Sequence, residues 1–119
     1  MKGIGCACYI PFVFGEAIMG KLENAYKREL KRRIEDRFPG CIVLKNDEQL
    51  LQGVFDMTIL WGPYYAALEV KKDKDAPVRP NQDHYLERVI KMGGIAFFIY
   101  PEIEEKVLDE IQRAFQAQG

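Results

Sequence analysis

The stretch Gly53-Val54-Phe55-Asp56-Met57-Thr58-Ile59-Leu60-Trp61-Gly62-Pro63-Tyr64-Tyr65-Ala66-Ala67-Leu68-Glu69-Val70-Lys71 decides the architecture. Residues Val54 to Leu60 and Tyr64 to Lys71 are rich in β-branched and aromatic side chains and alternate as strands do. Trp61-Gly62-Pro63 between them carries the Gly-Pro signature of a tight turn, so the two runs read as adjacent antiparallel strands. Side chains two apart on a strand share a face. Asp56 and Thr58 therefore point one way, while Phe55, Met57 and Ile59 point the other. Glu69 and Lys71 share a face opposite Ala66, Leu68 and Val70. The pattern predicts a hairpin with one apolar face and a second face on which Asp56, Glu69 and Lys71 converge.

Two carboxylates on neighbouring strands suit Mg²⁺, a hard cation that takes one or two protein carboxylates, keeps several waters and fills its remaining positions with substrate phosphate oxygens. Such an ion generates a nucleophile from bound water and offsets charge at phosphorus during in-line attack, and a nearby lysine can orient the water or stabilise that charge. A lone acid-x-lysine on a strand is ordinarily a solvated face. The aspartate upstream on the paired strand is what turns the reading toward phosphodiester chemistry.

With these residues in place, the chain resembles the PD-(D/E)XK nuclease superfamily, and within it the small virus-type replication-repair (VRR-NUC) and Holliday-junction-resolvase-like nucleases. The resemblance covers Leu22 to Tyr100. It implies a restriction-endonuclease-like α/β core of order αβββαβ, a central mixed sheet flanked by helices, with a C-terminal helix added. Leu22 to Phe38 corresponds to the first helix, Cys41 to Lys45 to the first strand, Arg79 to Met92 to the second helix and Gly94 to Tyr100 to the last strand. By this resemblance Asp56 and Glu69 are the principal metal ligands, the Val70 carbonyl is a further ligand, Lys71 is the catalytic lysine and Glu23 the helix-borne acid, with Glu29 its substitute. Gln82 stands where these nucleases often carry a glutamine near the lysine. One departure is Phe55, where the family commonly has proline before the aspartate. The implied activity is Mg²⁺-dependent DNA cleavage, with Mn²⁺ able to substitute, on branched DNA in phage-type repair or recombination, by a homodimer if both strands of a junction are cut. An inactive nucleic-acid-binding or assembly module of the same fold, and a nuclease acting on RNA, are the alternatives.

Length and charge are compatible with these expectations. A chain of 119 residues forms one domain with little room for a separate DNA-binding module. Its formal net charge of -1 is not that of a strongly basic nucleic-acid binder, but the charge is separated along the chain. Lys21 to Arg37 holds seven basic residues against four acidic, whereas Pro101 to Gly119 holds two against five. Leu22, Tyr26, Leu30, Ile34 and Phe38 form an apolar stripe on the first helix, and Lys27, Arg28 and Lys31 lie off it. Contact with phosphates is one reading of these bases. A solvated face with internal ion pairs, such as Glu23 with Lys27, is the other. Lys72 and Lys74, in the polar loop Lys72 to Pro77, and Arg79 are further candidates for the phosphate backbone.

The remaining segments carry less chemistry. Ile95 to Tyr100 is apolar on both faces and predicts a central strand. Glu102 to Gln116 predicts a helix packing through Val107, Leu108, Ile111 and Phe115, either on the sheet or on another subunit. Pro80 and Gly93-Gly94 are ordinary start and stop signals for the second helix, and His84, the only histidine, reads as an exposed polar residue. Residues 1–18 form an apolar extension shorter than a membrane span of ~20 residues and a poor match to a signal peptide, so the nuclease domain is taken as residues 19–119. Cys6, Cys8 and Cys41 make no zinc pattern and read as free thiols in a reducing compartment, the cytoplasm of a bacterial host if the chain is phage-encoded. No glycine-rich phosphate loop supports a nucleotide cofactor.

Overall fold

The computed structural model describes residues 12–76 and 84–118, with the side chains of the first helix described from Lys21 onward. The elements follow as α1 (Phe12–Arg37), β1 (Ile42–Lys45), β2 (Met57–Trp61), β3 (Tyr64–Val70), α2 (His84–Lys91), β4 (Ile95–Ile99), a 3₁₀ turn (Pro101–Ile103) and α3 (Glu104–Gln118). This is the expected αβββαβ order with the added helix. The four strands form one mixed sheet in the order β1-β2-β3-β4. β1 and β2 pair antiparallel, as do β2 and β3, and β4 joins β3 in parallel. Gly62 makes the tight β2–β3 turn possible at φ 62°, a conformation that side chains with a Cβ rarely adopt.

The alternation of the strands divides the interior into two cores. On one face Val43, Met57, Ile59, Ala66, Leu68, Val70 and Ile99 meet Leu30, Ile34 and Phe38 of α1 and Val107, Leu108, Ile111 and Phe115 of α3. Each large apolar side chain buried here stabilises the fold by about 1.5–3 kcal/mol before entropy is counted. Phe38 fits edge-on against Trp61 at 5.1 Å and against Phe115 at 5.7 Å between ring centroids, and the Trp61 indole N–H donates to the Pro39 carbonyl. On the other face Ala67 packs with Leu86 and Val89 of α2, joined by Phe55, Ala96 and Phe98. α2 covers only the β3–β4 side, and Ile42, Leu44 and Tyr65 remain exposed.

Several boundaries and faces differ from the sequence reading. α1 begins at Phe12 rather than Leu22, so it runs through the boundary placed after residue 18. Leu22, expected in the apolar stripe, is 57% exposed, and the stripe that packs runs from Tyr26 to Phe38. β2 begins at Met57 rather than Val54; at its start the Asn46 side-chain amide donates to the Phe55 carbonyl and to the Thr58 hydroxyl, while the Asn46 backbone N–H donates to the Asp56 carbonyl. That clamp bends the chain, so Phe55 packs on the α2 face rather than beside Met57 and Ile59. β4 is at the edge of the sheet rather than central. It is apolar on both sides because α2 and α3 cover its two faces, the arrangement that a parallel strand pair connected by a helix requires. The first part of the expected second helix, Arg79 to Asp83, lies outside the described residues. Among the described residues, no helix is long and apolar enough to cross a membrane.

α1 and α3 are locked by charge as well as by apolar packing. Glu104, only 7% exposed, accepts from Arg33 Nε at 2.5 Å, from Arg33 Nη2 at 2.9 Å and from the Tyr26 hydroxyl at 2.9 Å. Burial and the neighbouring Glu104 push the Tyr26 phenol far above its ordinary value. One turn further, Arg37 bonds Asp109, Glu105 and Gln112. The acidic last helix and the basic first helix therefore partly neutralise each other. Replacing Glu104 with Ala leaves Tyr26 and the partly exposed Arg33 without their acceptor and should cost about 2 kcal/mol in urea unfolding, while Tyr26→Phe should cost about 1 kcal/mol.

Candidate active site

The site is built where β2 starts and β3 ends. The pairing of Met57 with Leu68 brings Asp56, one residue before β2, level with Glu69 on β3. Asp56 is fixed at both oxygens: Oδ2 accepts from the Val70 amide at 2.8 Å and Oδ1 from Lys27 Nζ at 2.8 Å. Asn46 brackets this stretch, its side-chain amide donating to the Phe55 carbonyl and its backbone N–H to the Asp56 carbonyl. Glu69 shares the α2 face with Ala67 and Lys71, and its side chain is fully buried. Lys71 is 5% exposed, its ammonium 5.5 Å from the Phe98 ring centroid. The expected convergence of Asp56, Glu69 and Lys71 is present, on a covered face rather than an open one.

The electrostatics of this arrangement are unusual. Both oxygens of Glu69 are buried and meet no hydrogen-bond donor among the described residues. Burial, then the adjacent Asp56 carboxyl, raises Glu69 from its ordinary 4.5 to about 9, against the opposing pull of Lys71. Burial also pushes Asp56 upward, but the contact with Glu69, the Lys27 ammonium and the Val70 amide outweigh it and hold Asp56 below its usual value. The two acids are thus driven apart: one ionised and paired, the other held neutral unless a cation arrives. A buried carboxyl that meets no donor among the described residues normally costs stability, and its survival here calls for a function.

That geometry fits a hard divalent cation. The donors are oxygens, and the orphaned Glu69 carboxyl beside Asp56 supplies what such an ion takes. Among the described residues no group of three or more His, Cys, Asp or Glu side chains is placed to hold a metal, so the remaining positions would fall to backbone carbonyl, water and substrate. Beside the pair lies an open cleft of about 460 Å³, lined by Glu23, Lys27, Lys45, Asn46, Asp47, Glu48, Gln49 and Asp56. Glu23 therefore faces the same cleft as Asp56, from the helix turn preceding Lys27.

The other residues singled out in the sequence are distributed around this centre. Lys27 is bonded to Asp56 rather than to Glu23, which the amphipathic pattern of α1 did not reveal. Arg28 is exposed on α1, Lys31 is paired with Glu35 at 3.1 Å, and Glu29 is paired with Arg32. Lys72 is paired with Asp73, and Lys74 is exposed with its amide donating to Glu102. Gln82 and Arg79 lie outside the described residues. His84 opens α2, exposed and edge-on to Tyr85. Cys41 is a half-buried free thiol, and Cys6 and Cys8 lie outside the described residues. Sequence reasoning missed the loop after β1. Glu48, whose charge helps push Glu69 upward, lines the cleft with Lys45 and Asp47, and the only sequence signal was an acidic pair ahead of Gly53.

No protein-family model matches the chain, and no curated protein matches it. Among solved structures, a VRR-NUC domain superposes with a TM-score of 0.61 at 26% identity, covering 76% of this chain and 95% of that one. With the αβββαβ order and the mixed sheet, this match gives the chain a VRR-NUC nuclease-like, restriction-endonuclease-like α/β fold, that of a nuclease-type domain.

Proposed function

We propose that this protein is a Mg²⁺-dependent DNA endonuclease, with Mn²⁺ able to substitute, selective for branched DNA of the kind met in repair and recombination. The observation that carries this reading is the buried Glu69 carboxyl, which meets no donor among the described residues, set beside Asp56, which lines a polar cleft, with Lys71 just past the end of the same strand. A structural role alone would favour an apolar residue at that position. The VRR-NUC match supports the reaction class, and the basic α1 beside the cleft supports a polyanionic substrate.

The residues divide the work as follows. Asp56 and Glu69 would hold the cation with the Val70 carbonyl as a further ligand, and Glu23, which lines the same cleft, would act on it through a bound water. Bound there, the cation supplies a water of lowered pKa and neutralises charge at the scissile phosphorus. Lys71, dry and beside Phe98, is positioned to hold the attacking water or to stabilise the developing oxyanion, where low water content strengthens its charge. Gln82 is a further candidate for the water or the phosphate. Arg28, Lys31, Lys72, Lys74 and Arg79 serve the DNA backbone. Ion pairs such as Lys31 with Glu35 are worth little in water and can open to a phosphate. Cutting both strands of a junction takes two active sites, so a homodimer accompanies that substrate.

Asp56→Ala and Glu69→Ala should each abolish metal-dependent cleavage of junction, flap, nicked and linear DNA while the protein stays folded. Normal turnover in either variant would contradict the site, and faster cleavage of matched RNA would change the substrate. Lys71→Ala should slow the single-turnover rate by about a hundredfold or more with little change in metal affinity.

The pKa of Glu69 sets a sign for pH dependence. In the metal-free fold Glu69 keeps a proton that the unfolded chain releases above 4.5, so its contribution to stability is full below that value and is lost as pH rises toward about 9. Metal uptake expels the same proton, so metal affinity should rise with pH across this window. Thermal melts in EDTA and Mn²⁺ titrations at several pH values check both trends, and Glu69→Gln should flatten them. Sedimentation of the wild type should give a dimer; a monomer that still resolves four-way junctions would contradict the two-site argument.

A further inference from the structure

Lys27 stands out on α1 because its charge is directed at the metal site itself. Its ammonium sits 2.8 Å from Asp56 Oδ1, with the two side chains only 15% and 13% exposed. The other Asp56 oxygen is held by the Val70 amide. Oδ1 is therefore the oxygen left for a cation, and Lys27 is on it. A divalent ion and an ammonium drawn to one carboxylate oxygen repel each other, so the Lys27 bond in this structure competes with a metal on Asp56. The cleft gives the displaced ammonium somewhere to go, since Lys27 and Lys45 line it together with Glu23, one helical turn away from Lys27.

Resting on the reading above, we propose that Lys27 is an exchange partner for the metal: it neutralises Asp56 while the site is empty, releases Oδ1 when a divalent cation enters, and then presents its ammonium to the scissile-strand phosphate in the cleft. The device has two consequences. It keeps the metal-free site from carrying an unpaired buried carboxylate, and it couples metal arrival to delivery of a positive charge toward substrate. A lysine that only bound phosphate would have no effect on metal affinity, and one that only stabilised the fold would not alter it in the opposite sense to cleavage.

The test is a Mn²⁺ titration of the wild type, Lys27→Met and Lys27→Arg, read from the electron paramagnetic resonance signal of free Mn²⁺ and paired with melts in EDTA and in saturating Mn²⁺. Removing the competitor should tighten Mn²⁺ binding by about fivefold in Lys27→Met, the scale of a partly exposed ion pair. The same variant should melt lower than wild type in EDTA, recover in Mn²⁺, and cleave DNA more slowly at saturating Mn²⁺. Lys27→Arg, which keeps the charge, should stay near wild type in Mn²⁺ affinity. Unchanged or weaker Mn²⁺ binding by folded Lys27→Met overturns the exchange. If that variant fails to fold, Lys27→Gln is titrated to the same criterion. A wild type that neither binds Mn²⁺ nor cleaves DNA overturns the nuclease reading as well. A wild type that does both while the neutral variants keep its affinity overturns the Lys27 inference alone.

Discussion

The burial of one carboxyl against another is the constraint on which the rest of the structure turns. Glu69 lies wholly inside the protein with no donor at either oxygen among the described residues, beside an Asp56 that is already paired. In a domain whose net stability is of order 5–15 kcal/mol, an arrangement of this kind is a large local cost. It is tolerable because burial keeps Glu69 protonated near neutral pH, and because Lys27 and the Val70 amide hold Asp56 ionised. On the proposed reading, the same arrangement would become favourable when a divalent cation replaces the proton.

The scaffold makes this constraint precise. The α1–α3 core fixes one face of the sheet, and α2 closes the other over Ala67, the face on which Glu69 and Lys71 are buried. Asn46 bends the chain at Phe55 and Asp56, turning what would be an ordinary strand residue into one that caps β3. The Arg33–Glu104–Tyr26 contact ties α1 to α3 and so holds Lys27 at a fixed distance from the strand ends. Each part is small. Together they place three ionisable side chains, Asp56, Glu69 and Lys27, in one half-dry corner.

Much of this was legible in the sequence because it rests on local periodicity. The hairpin from Met57 to Val70, the stripe from Tyr26 to Phe38 and the packing face Val107, Leu108, Ile111 and Phe115 all follow from spacing, and the nearness of Asp56 to Glu69 follows from the hairpin. What was not legible depends on partners distant in the chain. Phe55 was placed on the wrong face because the bend comes from Asn46, nine residues upstream. Ile95 to Ile99 reads as central because two helices cover it, and apolarity on both faces does not distinguish a covered edge strand from an inner one. Lys27 reads as a surface base because nothing in an amphipathic pattern shows that its neighbour across the fold is Asp56. The cleft wall from Lys45 to Gln49 was silent for the same reason.

On the proposed reading, Asp56 and Glu69 form one cation seat. Its most direct test is an anomalous difference map from crystals of the wild-type protein soaked in Mn²⁺. A peak bridging the Asp56 and Glu69 carboxyl groups, absent in Glu69→Gln, is the predicted result. Full Mn²⁺ occupancy elsewhere on the protein, with the two carboxyl groups still sharing a proton, would contradict it.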